Sequence, residues 1–197
     1  MTTIFTLTFL GVLALSWSAA PPPEKVCRNL HAKADLDLKK FYSGKWYLTN
    51  IEQSSVPAHP CQETHNEVKE DGTIEHMILD FDKSRTPAKT HLNCVTNMKD
   101  VKDHKPNFTC KFKESPETWT SQSIGTVLET DYDNFAVYHV CSKMDEMVLG
   151  ENILVMHRNK DADPSNPKIS ETLKSLGLNL DSFTSRKSKA NCVYDSD

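Results

Sequence analysis

Eight short stretches rich in β-branched and aromatic residues, each bounded by turn formers and set at hairpin spacing, restrict this chain to an all-β antiparallel architecture. They run over 46–51 (WYLTNI), 61–68, 73–81 (TIEHMILDF), 90–97, 108–113 (FTCKFK), 120–128, 135–141 (FAVYHVC) and 153–158 (ILVMHR). An Asp71-Gly72 turn signal opens the third. The order suggests an up-and-down barrel or a sandwich. Beyond Arg158 the period changes: Pro167 fits a first helical turn, Ile169, Leu173 and Leu176 recur at helical spacing, and Gly177 is placed to stop the helix. No repeat or low-complexity linker divides the chain. Closing eight strands removes exposed edges and leaves room for one small ligand, so the architecture is one for binding.

The N-terminus indicates the compartment. Residues 4–15 (IFTLTFLGVLAL) are apolar but too short to span a bilayer, and Ser16 and Ser18 fit the small positions of a cleavage site. The reading is a signal peptide over 1–18 and one secreted domain over 19–197, with no membrane segment. The six cysteines, Cys27, Cys61, Cys94, Cys110, Cys141 and Cys192, form an even set suited to three disulfides in an exported protein. Fifteen pairings are open to six cysteines, and spacing chooses none of them. No C-x-x-C occurs, which argues against zinc and thioredoxin-type chemistry, and no metal site is expected. Asn107-Phe108-Thr109 is a glycosylation sequon, so Asn107 is expected to face solvent. A net charge of −4 with both signs interspersed offers no basic stripe for nucleic acid.

Three local patterns carry a family likeness. Gly44-Lys45-Trp46-Tyr47 has the G-x-W-Y form that opens the first lipocalin strand, Thr130-Asp131-Tyr132 stands before the seventh strand, and Arg158 ends the eighth. An arginine there can stack on Trp46 and close the base of a barrel, a cation–π contact of about 1 kcal/mol. Gly44, Trp46, Thr130, Asp131, Tyr132 and Arg158 are therefore assigned structural roles. With these, the spacing of Cys27, Cys61, Cys141 and Cys192 and the stretches DYDNFAVYHVC, LVMHRNKD and C-x-Y-D make the chain resemble the salivary lipocalins of blood-feeding triatomine bugs. The likeness is to the triabin/pallidipin branch, related to the haem-carrying nitrophorins. It implies an eight-stranded up-and-down antiparallel lipocalin barrel with a C-terminal α-helix. It also implies the disulfides Cys27–Cys141, Cys61–Cys192 and Cys94–Cys110.

The resemblance implies a secreted salivary protein that interferes with host haemostasis. On that reading it inhibits platelet aggregation by sequestering a small agonist, whether ADP, a biogenic amine or an eicosanoid. The alternative is surface-mediated inhibition of a host coagulation or contact-system protein through loops such as 100–107. The mouth elements would be 53–60 and 144–151. Nitrophorins hold haem through a histidine in an aromatic-Asp context; here Leu79-Asp80-Phe81-Asp82 puts Asp80 in that place, and a carboxylate is a poor haem ligand. His76 shares the strand face but stands about 13 Å away along it. No cofactor is expected. His65, His76 and His139 lie in strands, yet no G-x-S-x-G, H-E-x-x-H or phosphate loop accompanies them, so no enzyme is expected. Tyr47, His76, Asp80, Phe135 and Tyr138 are the candidate ligand-binding residues of a monomer.

Overall fold

The computed structural model describes residues 26–52, 60–81, 89–113, 120–188 and Cys192. The expected signal peptide, and 53–59 of the expected mouth loop, lie outside the described residues. Eight strands, β1 (Gly44–Glu52), β2 (Gln62–Val68), β3 (Thr73–Phe81), β4 (Lys89–Asn97), β5 (Asn107–Phe112), β6 (Ser121–Thr130), β7 (Phe135–Met144) and β8 (Met147–His157), pair antiparallel with their sequence neighbours. β1 pairs with both β2 and β8, which closes the barrel. A one-turn helix α1 (Leu38–Phe41) precedes the barrel; α2 (Pro167–Ser175) and a short strand β9 (Phe183–Ser185), paired with β1, follow it. α1 and β9 were not foreseen: four and three residues carry no readable period. Nor is 144–151 a connection, because β7 and β8 run through it and only Asp145 and Glu146 turn, Asp145 with φ 52°.

Side-chain alternation divides most of the apolar residues between two cores, with a smaller cluster of Cys61, Leu79 and Phe81 beside them. Leu48, Ile51, Ile74, Phe108, Val127, Tyr138, Leu154 and Met156 fill the closed part of the interior. On the outer face of β7 and β8, Phe135, Val137, Ile153 and Val155 pack beneath Ile169 and Leu173 of α2. That helix is nine residues long, too short to stand alone, so this packing holds it. Asn166 caps its start by accepting from the Lys168 amide, and Gly177, at φ 73°, ends it by donating to the Lys174 carbonyl. Among the described residues no helix is long and apolar enough to cross a membrane.

Three disulfides staple this framework. Cys27–Cys141 fastens the N-terminal segment to β7, Cys61–Cys192 fastens the tail beside β2, and Cys94–Cys110 joins directly opposed residues of β4 and β5. No free cysteine remains among the described residues.

The base of the barrel is sealed by Arg158. Its guanidinium lies 3.7 Å from the centroid of the Trp46 ring and donates to the carbonyls of Tyr132 (3.0 Å), Ser43 (2.6 Å) and Lys45 (2.8 Å). Gly44 sits at φ 64°, so a side chain here would be strained by the backbone, although an added Cβ would stand at an ordinary contact distance of 3.6 Å from Arg158 Nη1. Thr130 and Asp131 build the turn that presents the Tyr132 carbonyl. Thr130 Oγ1 donates to the Phe135 carbonyl, and the Asp131 carboxylate accepts from the amides of Asn134 and Phe135. Tyr132 itself adopts φ 70°. Above this seal Phe41 stacks between Trp46 and Tyr138, at 5.4 and 5.8 Å between centroids, and Trp46 Nε1 donates to the Phe41 carbonyl. Next comes His76, buried and edge-on to Tyr42, with its Nδ1 2.5 Å from Asn66 Oδ1. Burial holds its pKa down at about 4, from an ordinary 6.5.

Two outcomes follow from the base. Arg158→Ala leaves several carbonyls without their charged donor and strips the Trp46 face, so urea denaturation should show a loss of about 2–4 kcal/mol, a loss that Arg158→Lys does not fully restore. A value under about 0.5 kcal/mol would contradict the seal. Between pH 6.5 and 4 the unfolded chain protonates residue 76 while the folded chain does not. Stability present above 6.5 is therefore lost as pH falls towards 4, by about 3 kcal/mol. His76→Gln should remove that much of the acid slope in denaturation followed from pH 7 to 4; an unchanged slope would place the acid sensitivity elsewhere.

Candidate functional site

The site is the unfilled part of the barrel interior, a cavity of about 330 Å³ between the aromatic base and the end where β1 leaves off and β2 begins. That size is at the lower end of small-molecule pockets. The register of β2, β3 and β4 arranges one wall in three rows. Asn66, His76 and Cys94 form the lowest; Thr64, Ile78 and Leu92 the middle; Gln62, Asp80 and Thr90 the row nearest the mouth. The opposite wall carries Tyr138, Val140 and Ser142 from β7 and Leu154, Asn152 and Gly150 from β8. Phe108 and Phe112 enter from β5, and Phe112 and Leu149 are large apolar residues that stay exposed at the mouth. The walls are apolar in the middle and polar at both ends.

At the mouth row Gln62 Nε2 lies 3.5 Å from Asp80 Oδ2, and across the barrel Ser123 and Ser142 hydroxyls meet at 2.6 Å. Asp80 is the one charged side chain among the described residues lining the cavity; none of those residues is Lys or Arg. At the floor Tyr42 and Tyr138 hydroxyls are 3.2 Å apart. Burial raises both phenols, Tyr138 to about 12, so both stay protonated. Gly125 makes this contact possible, since a Cβ there would fall 2.0 Å from the Tyr138 hydroxyl.

Of the five candidate ligand-binding residues, the fold brings three together: His76, Asp80 and Tyr138. The other two need correction. Tyr47 follows the inward Trp46 and so points outward, with the Arg186 guanidinium 5.3 Å from its ring. Phe135 is three residues from Tyr138, therefore on the opposite face, and is buried under α2. His65 is also outside, its Nε2 2.7 Å from Glu63, and His139 packs outside against Glu151 at 2.6 Å. Asn107 is exposed at the start of β5. A wider depression of about 670 Å³ lies on the outer face of β2–β5, between side chains such as His65, Glu75, Met77 and Lys111. Among the described residues no cluster of His, Cys, Asp or Glu could hold a metal ion.

The lining does not fit haem. Asp80 stands where the likeness to nitrophorins would require an imidazole. His76 lies at the floor with its ring packed among Tyr42, Phe108 and Tyr138, centroids 5.4–6.4 Å away, and with its Nδ1 already engaged by Asn66 Oδ1. Residues missed in the sequence, Tyr42, Asn66 and Ser123, are positioned from α1, β2 and β6; only Gly125 carried a signal, a glycine inside a strand pattern that marks a close approach.

Comparisons with known proteins agree with this architecture. The family model described as nitrophorin matches residues 27–197. Triafestin-2 of Triatoma infestans is 30% identical, with 95% of this chain and 91% of that protein covered. Among solved structures, the tryptamine complex of the amine binding protein of Rhodnius prolixus superposes with a TM-score of 0.73 at 17% identity, covering 86% of this chain and 90% of that one. The LTBP1 complex with LTC4 gives 0.58 at 19% identity, covering 82% and 94%. At such identities the two structures speak for the fold. With its barrel, its Arg158 seal and this match along the whole described length, the chain belongs to the nitrophorin family, as a lipocalin of the triatomine salivary type.

Proposed function

We propose that this chain is a secreted, monomeric scavenger that takes a small organic amine of host blood into its barrel and so withholds an agonist of platelet aggregation. One observation carries the reading: the described lining of the cavity places a carboxylate, Asp80, near the mouth and includes no lysine or arginine. A protonated amine gains a charge-assisted hydrogen bond there, whereas the phosphates of ADP or the carboxylate of an eicosanoid meet like charge, with no cationic donor among the described lining residues. A cavity of about 330 Å³ also suits an arylalkylamine better than a long acyl chain. The amine and eicosanoid complexes of the two structural neighbours span the same choice, and the cavity chemistry here favours the first. The barrel binds and does not turn over its ligand, so its effect depends on molar excess and on an affinity of about −8 kcal/mol or better.

The alternative, inhibition of a host haemostatic protein through the surface, draws on the exposed Phe112, Met147 and Leu149 around the mouth. It needs no cavity, and a cavity with polar groups at both ends weighs against it.

Isothermal titration should register serotonin or noradrenaline at sub-micromolar Kd. Asp80→Asn, which keeps size and hydrogen bonding but removes charge, should weaken binding about 10- to 100-fold. Equal affinity of the variant, or tighter binding of ADP than of amines, would overturn the reading.

A further inference from the structure

The floor of the cavity holds two polar atoms that nothing among the described residues consumes, and their proton positions follow from their neighbours. Asn66 Nδ2 donates to the Gly44 carbonyl at 3.1 Å and to Thr64 Oγ1 at 2.9 Å. Its amide oxygen therefore faces His76, and only a protonated His76 Nδ1 can satisfy the 2.5 Å contact. His76 is neutral at physiological pH, so Nε2 bears the lone pair. Among the described residues nothing donates to Nε2, and it is not sealed by protein atoms; the ring lines the cavity.

A similar argument fixes the tyrosines. Tyr42 is fully buried, and the Tyr138 hydroxyl is its one hydrogen-bond partner among the described residues. Were Tyr42 the acceptor, its own buried proton would be unsatisfied, at a cost of about 1–3 kcal/mol. Tyr42 therefore donates, and Tyr138, which lines the cavity, keeps its proton for something else. The floor thus presents one acceptor, His76 Nε2, beside one donor, the Tyr138 hydroxyl, on rings whose centroids are 6.4 Å apart. They do not bond each other. A group that both donates and accepts through one small atom fits between them, and a hydroxyl is that group.

Asp80 and His76 are four residues apart on one strand face, about 13 Å along β3. Ile78, Leu92 and Phe108 form apolar wall between the two levels. We propose that the floor reads a ring hydroxyl, so that the preferred ligands are hydroxylated arylalkylamines (phenol, catechol or hydroxyindole amines) over their deoxy counterparts. This rests on the amine reading above and adds the selecting residues, His76 as acceptor and Tyr138 as donor. A deoxy ligand leaves both atoms facing apolar ring, and discrimination of this kind is larger than that from an added methylene.

The test compares matched pairs by isothermal titration on the oxidised chain: serotonin against tryptamine, tyramine against phenethylamine, and, without an ammonium, 5-hydroxyindole against indole. The hydroxyl should strengthen binding about tenfold in each pair. His76→Leu and Tyr138→Phe, checked for folding by near-ultraviolet circular dichroism, should bring the ratio towards one. If tryptamine binds as tightly as serotonin to the wild-type chain, the floor reads no hydroxyl and the proposal fails, while the amine reading stands. If the amines fail to bind but 5-hydroxyindole is preferred to indole, the amine reading falls and the floor site survives. If no pair shows a preference, the proposal is overturned whatever the variants do.

Discussion

The Arg158 guanidinium over Trp46 is the contact on which the rest of the structure depends. A barrel of eight strands encloses space at both ends, and a binding site needs one end shut. Arg158 shuts it by meeting carbonyls from three separate segments, the α1 exit, the start of β1 and the turn before β7, while its flat face covers the indole. A guanidinium does this better than an ammonium because its donors are fixed in a plane that can stack and hydrogen-bond at once. Behind the seal, Phe41, Tyr42 and Trp46 fill the lower interior, and the cavity begins only where that aromatic packing stops.

The architecture was legible because strand alternation and turn chemistry repeat eight times, so an error in one stretch does not change the topology. The base was legible in the same way: Gly44, Trp46, Thr130, Asp131, Tyr132 and Arg158 are local patterns with local causes. Individual orientations were less so. Tyr47 and Phe135 were chosen for aromatic character, but parity decides which way a strand residue points. Once Trp46 faces inward, Tyr47 cannot; Tyr138 and Phe135, three apart, cannot both. Asp80 and His76, four apart, share a face by the same rule. Tyr42 and Asn66 carried no such signal, since their roles arise from α1 folding under the barrel and from a cross-strand pairing. The pairing of the cysteines was beyond spacing altogether and is set by the register that places Cys94 opposite Cys110 and by where the flanking segments cross β7 and the start of β2.

The site follows from where polar residues interrupt an apolar interior. A cavity wholly lined by Leu, Ile and Phe would favour any apolar molecule of the right volume. Here a carboxylate near the mouth and an imidazole–phenol pair at the floor stand at opposite ends of an apolar sleeve, which imposes charge, length and polarity on what enters. The floor imidazole is kept neutral by its burial, and the same burial makes the fold sensitive to acid; on the proposed reading, recognition and acid stability share one side chain.

The most direct measurement is native mass spectrometry of the oxidised chain mixed with equal concentrations of ADP, serotonin, noradrenaline, a thromboxane mimetic and leukotriene C4. Retention of the amines alone, one per chain, is the predicted result. Retention of ADP or of an eicosanoid in their place would contradict the account, because the cavity would then be accepting an anion beside Asp80.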